Sequence, residues 1–269
     1  MDERLRRRDE LSHDRNAADY DSQITRTFRP LHRLGLAPWV RALEHANPGT
    51  VLDEGTGTGV VALELARVCR SVVGLDHSMG MLKVACVKST SLSRQSRTAF
   101  LRGDCHHLPF PDGAFDAVSI QGLLHHHGAV DWRRALAEST RVLAPGGRLY
   151  ISEPCQGPNP AGRVLAGLVG CFVRLMRLIR RPDRLLNRPT ASPLPVERDE
   201  DPLVEGPMRA GEVIAELRRL GFDLHARFFT AIPTAVTLPE TVASFLVRTV
   251  SAPLGSAHGD ILFIYATKR

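Results

Sequence analysis

The sequence predicts an α/β protein built on one mostly parallel sheet with helices on both faces. Three observations carry that expectation. Apolar runs near residues 50–54, 71–75, 98–102, 115–120 and 147–152 read as strands, and patterns near 59–69, 78–88 and 131–143 read as helices. Such alternation implies parallel strands joined by right-handed crossovers. The first run, Val51-Leu52-Asp53-Glu54, leads directly into Gly55-Thr56-Gly57-Thr58-Gly59 and then into the helical pattern Val60 to Ala66. The polar residues Asp53 to Gly59, Asp76, Asp104 and Gln121 each end or follow a strand. The carboxyl ends of strands are where open α/β sheets bind ligands, so one pocket collects them.

The glycine loop has a physical reading. A loop that turns sharply and lets a ligand touch its backbone has no room for Cβ atoms. The helix that follows presents unpaired N–H groups to whatever sits there. Gly57-x-Gly59-x-x-Ala62 also satisfies a dinucleotide-binding pattern. Asp76 closes the second strand about 20 residues past the loop, where a carboxylate accepts from two vicinal ribose hydroxyls. To this point a nicotinamide and an adenosyl cofactor are equally compatible.

The third landmark separates them. Gly103-Asp104-Cys105 follows the third strand, and Leu108-Pro109-Phe110-Pro111-Asp112-Gly113-Ala114-Phe115-Asp116 leads into the fourth. Beyond lie Leu124-His125-His126 and Glu138-x-x-Arg141-Val142-Leu143-Ala144-Pro145-Gly146-Gly147. This succession resembles the class I S-adenosylmethionine-dependent methyltransferases, in the branch acting on small molecules. The resemblance is dense from Val51 to Pro154 and loose in the C-terminal third. It implies a Rossmann-like, seven-stranded, mostly parallel sheet with an antiparallel C-terminal strand and a substrate-cap insertion. It also implies the boundaries of four regions: N-terminal lid helices at 1–47, the cofactor-binding core at 48–153, the cap at 154–208, and completion of the core at 209–269.

The site residues follow from the same resemblance. Gly55, Gly57 and Gly59 would approach the amino-acid part of S-adenosylmethionine, and Asp53 would bind its amino group. Asp76, with His77 beside it, would take the ribose. Asp104 would accept from the adenine amino group next to the Cys105 backbone, and Met81 would pack on the adenine. Gln121 would face the reacting centre, and Tyr20 would contact the cofactor from the lid. Thr56 stands where many members have a cysteine. Histidine titrates in the range a general base needs, so His126 and His125 are the catalytic candidates, with loop support as their other reading. Glu153 would face the substrate or pair with an arginine. No metal site is expected, because adjacent histidines point apart and no cysteine has ligand spacing.

Composition bounds the remainder. The 269 residues carry a net charge of +6 and five cysteines without CxxC spacing. Scattered cysteines fit reduced thiols and a cytoplasmic location. The first residues lack a secretory signal, and no apolar run approaches the ~20 residues of a spanning helix. The positive charge raises nucleic acid as a partner. However, Ile120-Gln121-Gly122-Leu123 lacks the Pro-Pro-aromatic signature of base-methylating members, and no aromatic platform accompanies the arginines. Nucleic acid is therefore not expected. The expected partner is a small acceptor, partly apolar or aromatic, with secondary metabolites and quinone precursors among the candidates. A non-methylating or degenerate member of the fold stands as the other alternative.

The flanks follow the core pattern less closely. Leu31 to Ala46 reads as an amphipathic helix stopped by Asn47-Pro48-Gly49. Residues 161–181 read as a basic amphipathic helix that caps a pocket, lies on a membrane surface or packs as an ordinary surface helix. Arg188 to Pro207 reads as a loop. Ala210 to Leu220 reads as a helix closed by Gly221. Strands are expected at 223–231 and 260–267, with a helix near 239–249 between them.

Overall fold

The computed structural model describes residues 35–90, 97–127, 131–156, 208–229 and 261–269, together with Leu11, His13, Asp14, Ala17, Tyr20 and Asp21. The expectations for residues 161–181, 188–207 and 239–249 fall outside the described residues.

Residues 35–46 form helix α1. Asn47 ends it in a left-handed conformation at φ 49°, with its N–H donating 2.8 Å to Leu43 O. Asparagine is one of the few residues that tolerate this region. Strand β1 (Thr50–Glu54) follows, then α2 (Val60–Leu65), β2 (Ser71–Asp76), α3 (Met79–Ser89), β3 (Arg97–Arg102) and β4 (Phe115–Gln121). A short 3-10 turn at Leu124–His126 precedes α4 (Asp131–Val142), which runs directly into β5 (Leu143–Gln156). The chain closes with β6 (Met208–Arg209), α5 (Ala210–Arg219), β7 (Phe222–Phe229) and β8 (Ile261–Lys268).

The strands form one sheet in the order β3-β2-β1-β4-β5-β8-β7, with β6 paired alongside β5. β1 pairs parallel to both β2 and β4. β8 alone runs antiparallel, against β5 on one side and β7 on the other. The expected antiparallel C-terminal strand is therefore present. Among the described residues the sheet has eight strands, one more than the expected seven, because Met208 and Arg209 add a two-residue pairing to Cys155 and Gln156 that no periodicity announces. Helix α2 is shorter than the expected 59–69, and β5 is longer than the expected 147–152.

Side-chain alternation splits the apolar residues between the two faces of the sheet. Leu52, Val118, Ile120, Leu149, Leu262 and Ile264 belong to one core with Trp132 and Leu136 of α4 and Val213 and Leu217 of α5. Val51, Val72, Ala117, Tyr150 and Phe263 belong to the other, with Trp39 and Leu43 of α1 and Leu65 of α2. The burial spacing of Trp132, Ala135, Leu136, Ser139 and Val142 shows α4 presenting one continuous stripe. Gly221 ends α5 at φ 86°, as its position predicts.

The motif Glu138-x-x-Arg141 acts structurally. Arg141 donates to Glu138, to Asp112 and to the carbonyls of Leu108 and Phe110. Glu138 accepts from Leu108 N–H at 2.9 Å. These bonds tie the loop before β4 to α4. The Arg141 hydrogen bonds hold the Glu138 carboxyl below its ordinary pKa against the opposing effect of burial.

Candidate functional site

Because β1 lies between β2 and β4, the strand order reverses beside it, and a cavity opens at the carboxyl ends of these strands. The cavity measures about 320 Å³. Gly55 and Gly57 form its floor, Asp76 and His77 one side, and Gly103, Asp104 and Cys105 another. Leu75, Met81 and Leu123 supply apolar wall, and Gln121 and His126 face in from the β4 side. Tyr20 closes it from the N-terminal segment. The structure thus brings together ten of the sequence-predicted residues: Tyr20, Gly55, Gly57, Asp76, His77, Met81, Asp104, Cys105, Gln121 and His126.

Asp53, Gly59 and His125 stand behind the cavity wall. The buried Asp53 accepts from Thr56 Oγ1 at 2.7 Å and from Ala62 N–H at 3.1 Å. Ala62 lies in the first turn of α2, whose N-cap Gly59 has no side chain to offer. Asp53 therefore caps α2 from the preceding strand, a favourable place for a carboxylate. Burial pushes Asp53 up to about 7 and its neighbour Glu54 up to about 8. Glu54 is 0% exposed and receives Ser139 Oγ at 2.6 Å.

The glycines divide by role. Gly57 has φ 52°, and a Cβ there would meet nothing within 4 Å, so its backbone lies bare to the cavity. Gly59 has φ 77°, and a Cβ would come within 2.9 Å of Ala85. The first glycine serves ligand approach and the second serves packing of the loop against α3.

Asp76 is held at the rim by its own backbone neighbours. Gly57 N–H donates to Oδ2 at 2.7 Å, and Ser78 N–H donates to Oδ1 at 2.9 Å. Each oxygen retains a second acceptor position for a ligand.

The histidine loop rests on Glu153. That carboxylate is fully buried at the end of β5 and accepts from Leu123 N–H at 2.8 Å and Leu124 N–H at 2.9 Å. His125 contributes its N–H at 3.3 Å and its Nδ1 at 2.8 Å. Among the described residues Glu153 pairs with no arginine and stands outside the cavity lining; it organises the turn that carries His126. An N–H of β4's exit loop is a partner no side-chain pattern reveals.

Residues that sequence reasoning missed come chiefly from the N-terminal segment. His13 lines the cavity and meets His126 edge-on, with ring centroids 5.4 Å apart. Asp14 accepts from Ser78 Oγ at 2.5 Å and from Gly80 N–H at 2.7 Å, at the start of α3. Asp21 accepts from Lys88 Nζ at 2.6 Å and from Thr58 Oγ1. These two aspartates pin the segment across the glycine loop and α3. The polar pattern of residues 1–29 carried only the expectation of a lid.

Comparison with known proteins agrees with this geometry. Residues 52–151 match a methyltransferase domain. The chain is 40% identical over 141 residues to the ubiquinone/menaquinone biosynthesis C-methyltransferase UbiE of Syntrophotalea carbinolica, covering 50% of this chain and 55% of that protein. It is 46% identical over 114 residues to the demethylmenaquinone methyltransferase of Thermus thermophilus, covering 42% of this chain and 50% of the relative. The chain thus spans about half the length of the curated relatives it matches. Among solved structures, it superposes on magnesium protoporphyrin IX methyltransferase ChlM of Synechocystis PCC 6803 with bound SAH. The TM-score is 0.55 at 16% identity, over 88% of this chain and 84% of that one. Such identity speaks for the fold. Residues 52–151 thus match a methyltransferase domain, and the chain shares its fold with a solved methyltransferase structure.

Proposed function

We propose that this chain transfers a methyl group from S-adenosylmethionine to an oxygen, nitrogen or carbon of a small, partly apolar or aromatic acceptor. The observation that carries this reading is one cavity lined by the bare backbone of Gly57, by Asp76, by Asp104 and by apolar Leu75, Met81 and Leu123. A strand-end carboxylate, a glycine cradle and an apolar slot fit an adenosyl group and its ribose. The methyltransferase domain match and the SAH in the ChlM structure support the same cofactor.

When bound, S-adenosylmethionine supplies a methyl activated on a sulfonium, open to in-line displacement by an acceptor atom. The protein's contribution is then positioning and exclusion of water. Asp76 accepts from the ribose hydroxyls with the lone pairs that Gly57 and Ser78 leave unused. Asp104 accepts from the adenine amino group, and Met81 packs on the ring. Gly55 and Gly57 bring backbone against the amino-acid end. Asp53 supports that end indirectly, by capping α2 beneath the loop.

The acceptor enters from the side of Gln121, His126 and Tyr20. His126 is the residue placed to take a proton from an acceptor hydroxyl or acidic carbon. His125, fixed through Nδ1 by Glu153, holds the turn in register. His13 and Tyr20 line the cavity on the side where the N-terminal segment meets the cofactor. The names of the two relatives support a quinone-like ring as the acceptor, with quinone metabolism as the setting this reading favours over secondary metabolism. Within the described residues no helix is long and apolar enough to cross a membrane. A cytoplasmic enzyme that meets an apolar acceptor at a membrane surface is the setting this reading favours.

The test is methyl transfer from labelled S-adenosylmethionine to a panel of demethylated quinones and phenols. Label in a ring-methylated product supports the reading. Cofactor binding without transfer to any ring acceptor sinks the acceptor class.

A further inference from the structure

Cys105 and His127 stand 22 positions apart in the sequence, yet Cys105 Sγ lies 3.3 Å from His127 Nε2. His106 Nδ1 is 3.7 Å from the same sulfur. The two imidazoles cross at 79° with centroids 4.5 Å apart, so their nitrogens converge from different directions. One ligand atom from each of the three residues lies within 4.8 Å of the other two. His106 is 3% exposed and Cys105 7%, and all three residues line the cavity. Chain spacing conceals this cluster, because the loop after β3 and the turn after β4 meet only in the fold.

We propose that Cys105, His106 and His127 bind a divalent cation of the zinc class. Tetrahedral zinc takes sulfur at about 2.3 Å and nitrogen at about 2.0–2.1 Å, which sets sulfur and nitrogen ligands about 3.5 Å apart. The two measured separations bracket that value. Thiolate and imidazole are the donors such an ion prefers. The three residues line the cavity, so the fourth position faces solvent and takes a water. The thiolate offsets one charge of the ion at the partly buried site. Binding strengthens as pH rises, because the ion displaces protons from its ligands.

A consequence rests on the proposed function. Cys105, His106 and His127 line the cavity that reading gives to the cofactor, with Cys105 beside the adenine, so the ion and the adenosyl cofactor oppose each other. Zinc raises the apparent Kd of S-adenosylhomocysteine, and S-adenosylhomocysteine weakens zinc by the same factor.

The experiment is titration of the chelator-treated full chain with cobalt(II), followed by displacement with zinc. The expected result is a cobalt–thiolate charge-transfer band with visible absorption of tetrahedral intensity, lost on adding zinc. Cys105→Ser removes the band, and His127→Gln weakens cobalt at least tenfold. Cys86→Ser, an exposed thiol away from the cavity, leaves the titration unchanged. Circular dichroism confirms that each variant folds. Absence of the band in the native chain overturns the site. So does a band that survives in folded Cys105→Ser, or unchanged cobalt affinity in folded His127→Gln. Zinc that binds through Cys105 without altering S-adenosylhomocysteine affinity upholds the metal site and contradicts the placement of the adenine.

Discussion

At the residue scale, Asp76 is tied to the glycine loop and to the start of α3, since Gly57 N–H and Ser78 N–H both donate to it, and the proposed function gives it the ribose. Asp76→Ala removes these charge-assisted bonds along with the ribose contact. At roughly 1.5–3 kcal/mol for a hydrogen bond to a charged group, S-adenosylhomocysteine binding should weaken about ten- to a hundredfold. Calorimetric titration checks this, and unchanged affinity would place the ribose elsewhere. The adjacent pair Asp53 and Glu54 makes a different prediction. Burial raises Glu54 to about 8 from an ordinary value of 4.5. The folded protein therefore keeps a proton that the unfolded chain releases. Stability is full below pH 4.5 in this respect and falls as pH rises through about 8, by on the order of a few kcal/mol. Glu54→Gln carries no such proton and should flatten the decline between pH 5 and 8. Urea unfolding across that range decides it; equal slopes in both proteins would show that Glu54 ionises freely.

At the element scale, a carboxylate, Glu153, and a guanidinium, Arg141, act as braces. Glu153→Ala would strand the N–H groups of Leu123 and Leu124 and release His125. Each unmet buried donor costs about 1–3 kcal/mol, so the turn should loosen. Faster amide exchange at Leu123 and Leu124, with lowered methyl transfer, is the expected outcome; protection equal to the native protein's would remove Glu153 from this role. Arg141→Ala should likewise lower stability, by about 2 kcal/mol, because three of its hydrogen bonds tie the pre-β4 loop to α4. Chemical denaturation measures that loss, and a change within error would make the bonds incidental.

These elements also show what was legible in the sequence. Strands such as Val51 to Glu54 and stripes such as Trp132 to Val142 follow from local periodicity. Asp76, Asp104 and Gln121 were readable because each sits at a strand end. The braces were not. Glu153 binds backbone N–H groups, and its partners leave no side-chain signature. Asp14 meets Ser78 and Gly80 from more than 60 positions away, and Cys105 meets His127 across a loop and a strand. Such pairings belong to the tertiary fold and have no period to detect.

At the scale of the whole molecule, two apolar cores clamp a sheet whose strand order reverses at β1, and the N-terminal segment bridges the opening. Asp14 and Asp21 tie that segment to α3 and to the glycine loop. A ligand in the cavity therefore couples the segment, the loop and three strand ends. Saturating S-adenosylhomocysteine at a hundred times its Kd should stabilise the chain by about 2.7 kcal/mol, seen as a raised Tm. Asp14→Ala combined with Asp21→Ala should shrink that rise by speeding dissociation, while leaving the sheet intact by circular dichroism. A full rise in the double variant would detach the segment from cofactor retention.

The adenosyl assignment of the cavity meets its most direct test in calorimetric titration of the full chain with S-adenosylhomocysteine, beside NADH. The predicted result is saturable binding of S-adenosylhomocysteine, weakened by Asp76→Ala, and no heat with NADH. Binding of NADH in its place, or S-adenosylhomocysteine binding indifferent to Asp76, would contradict it.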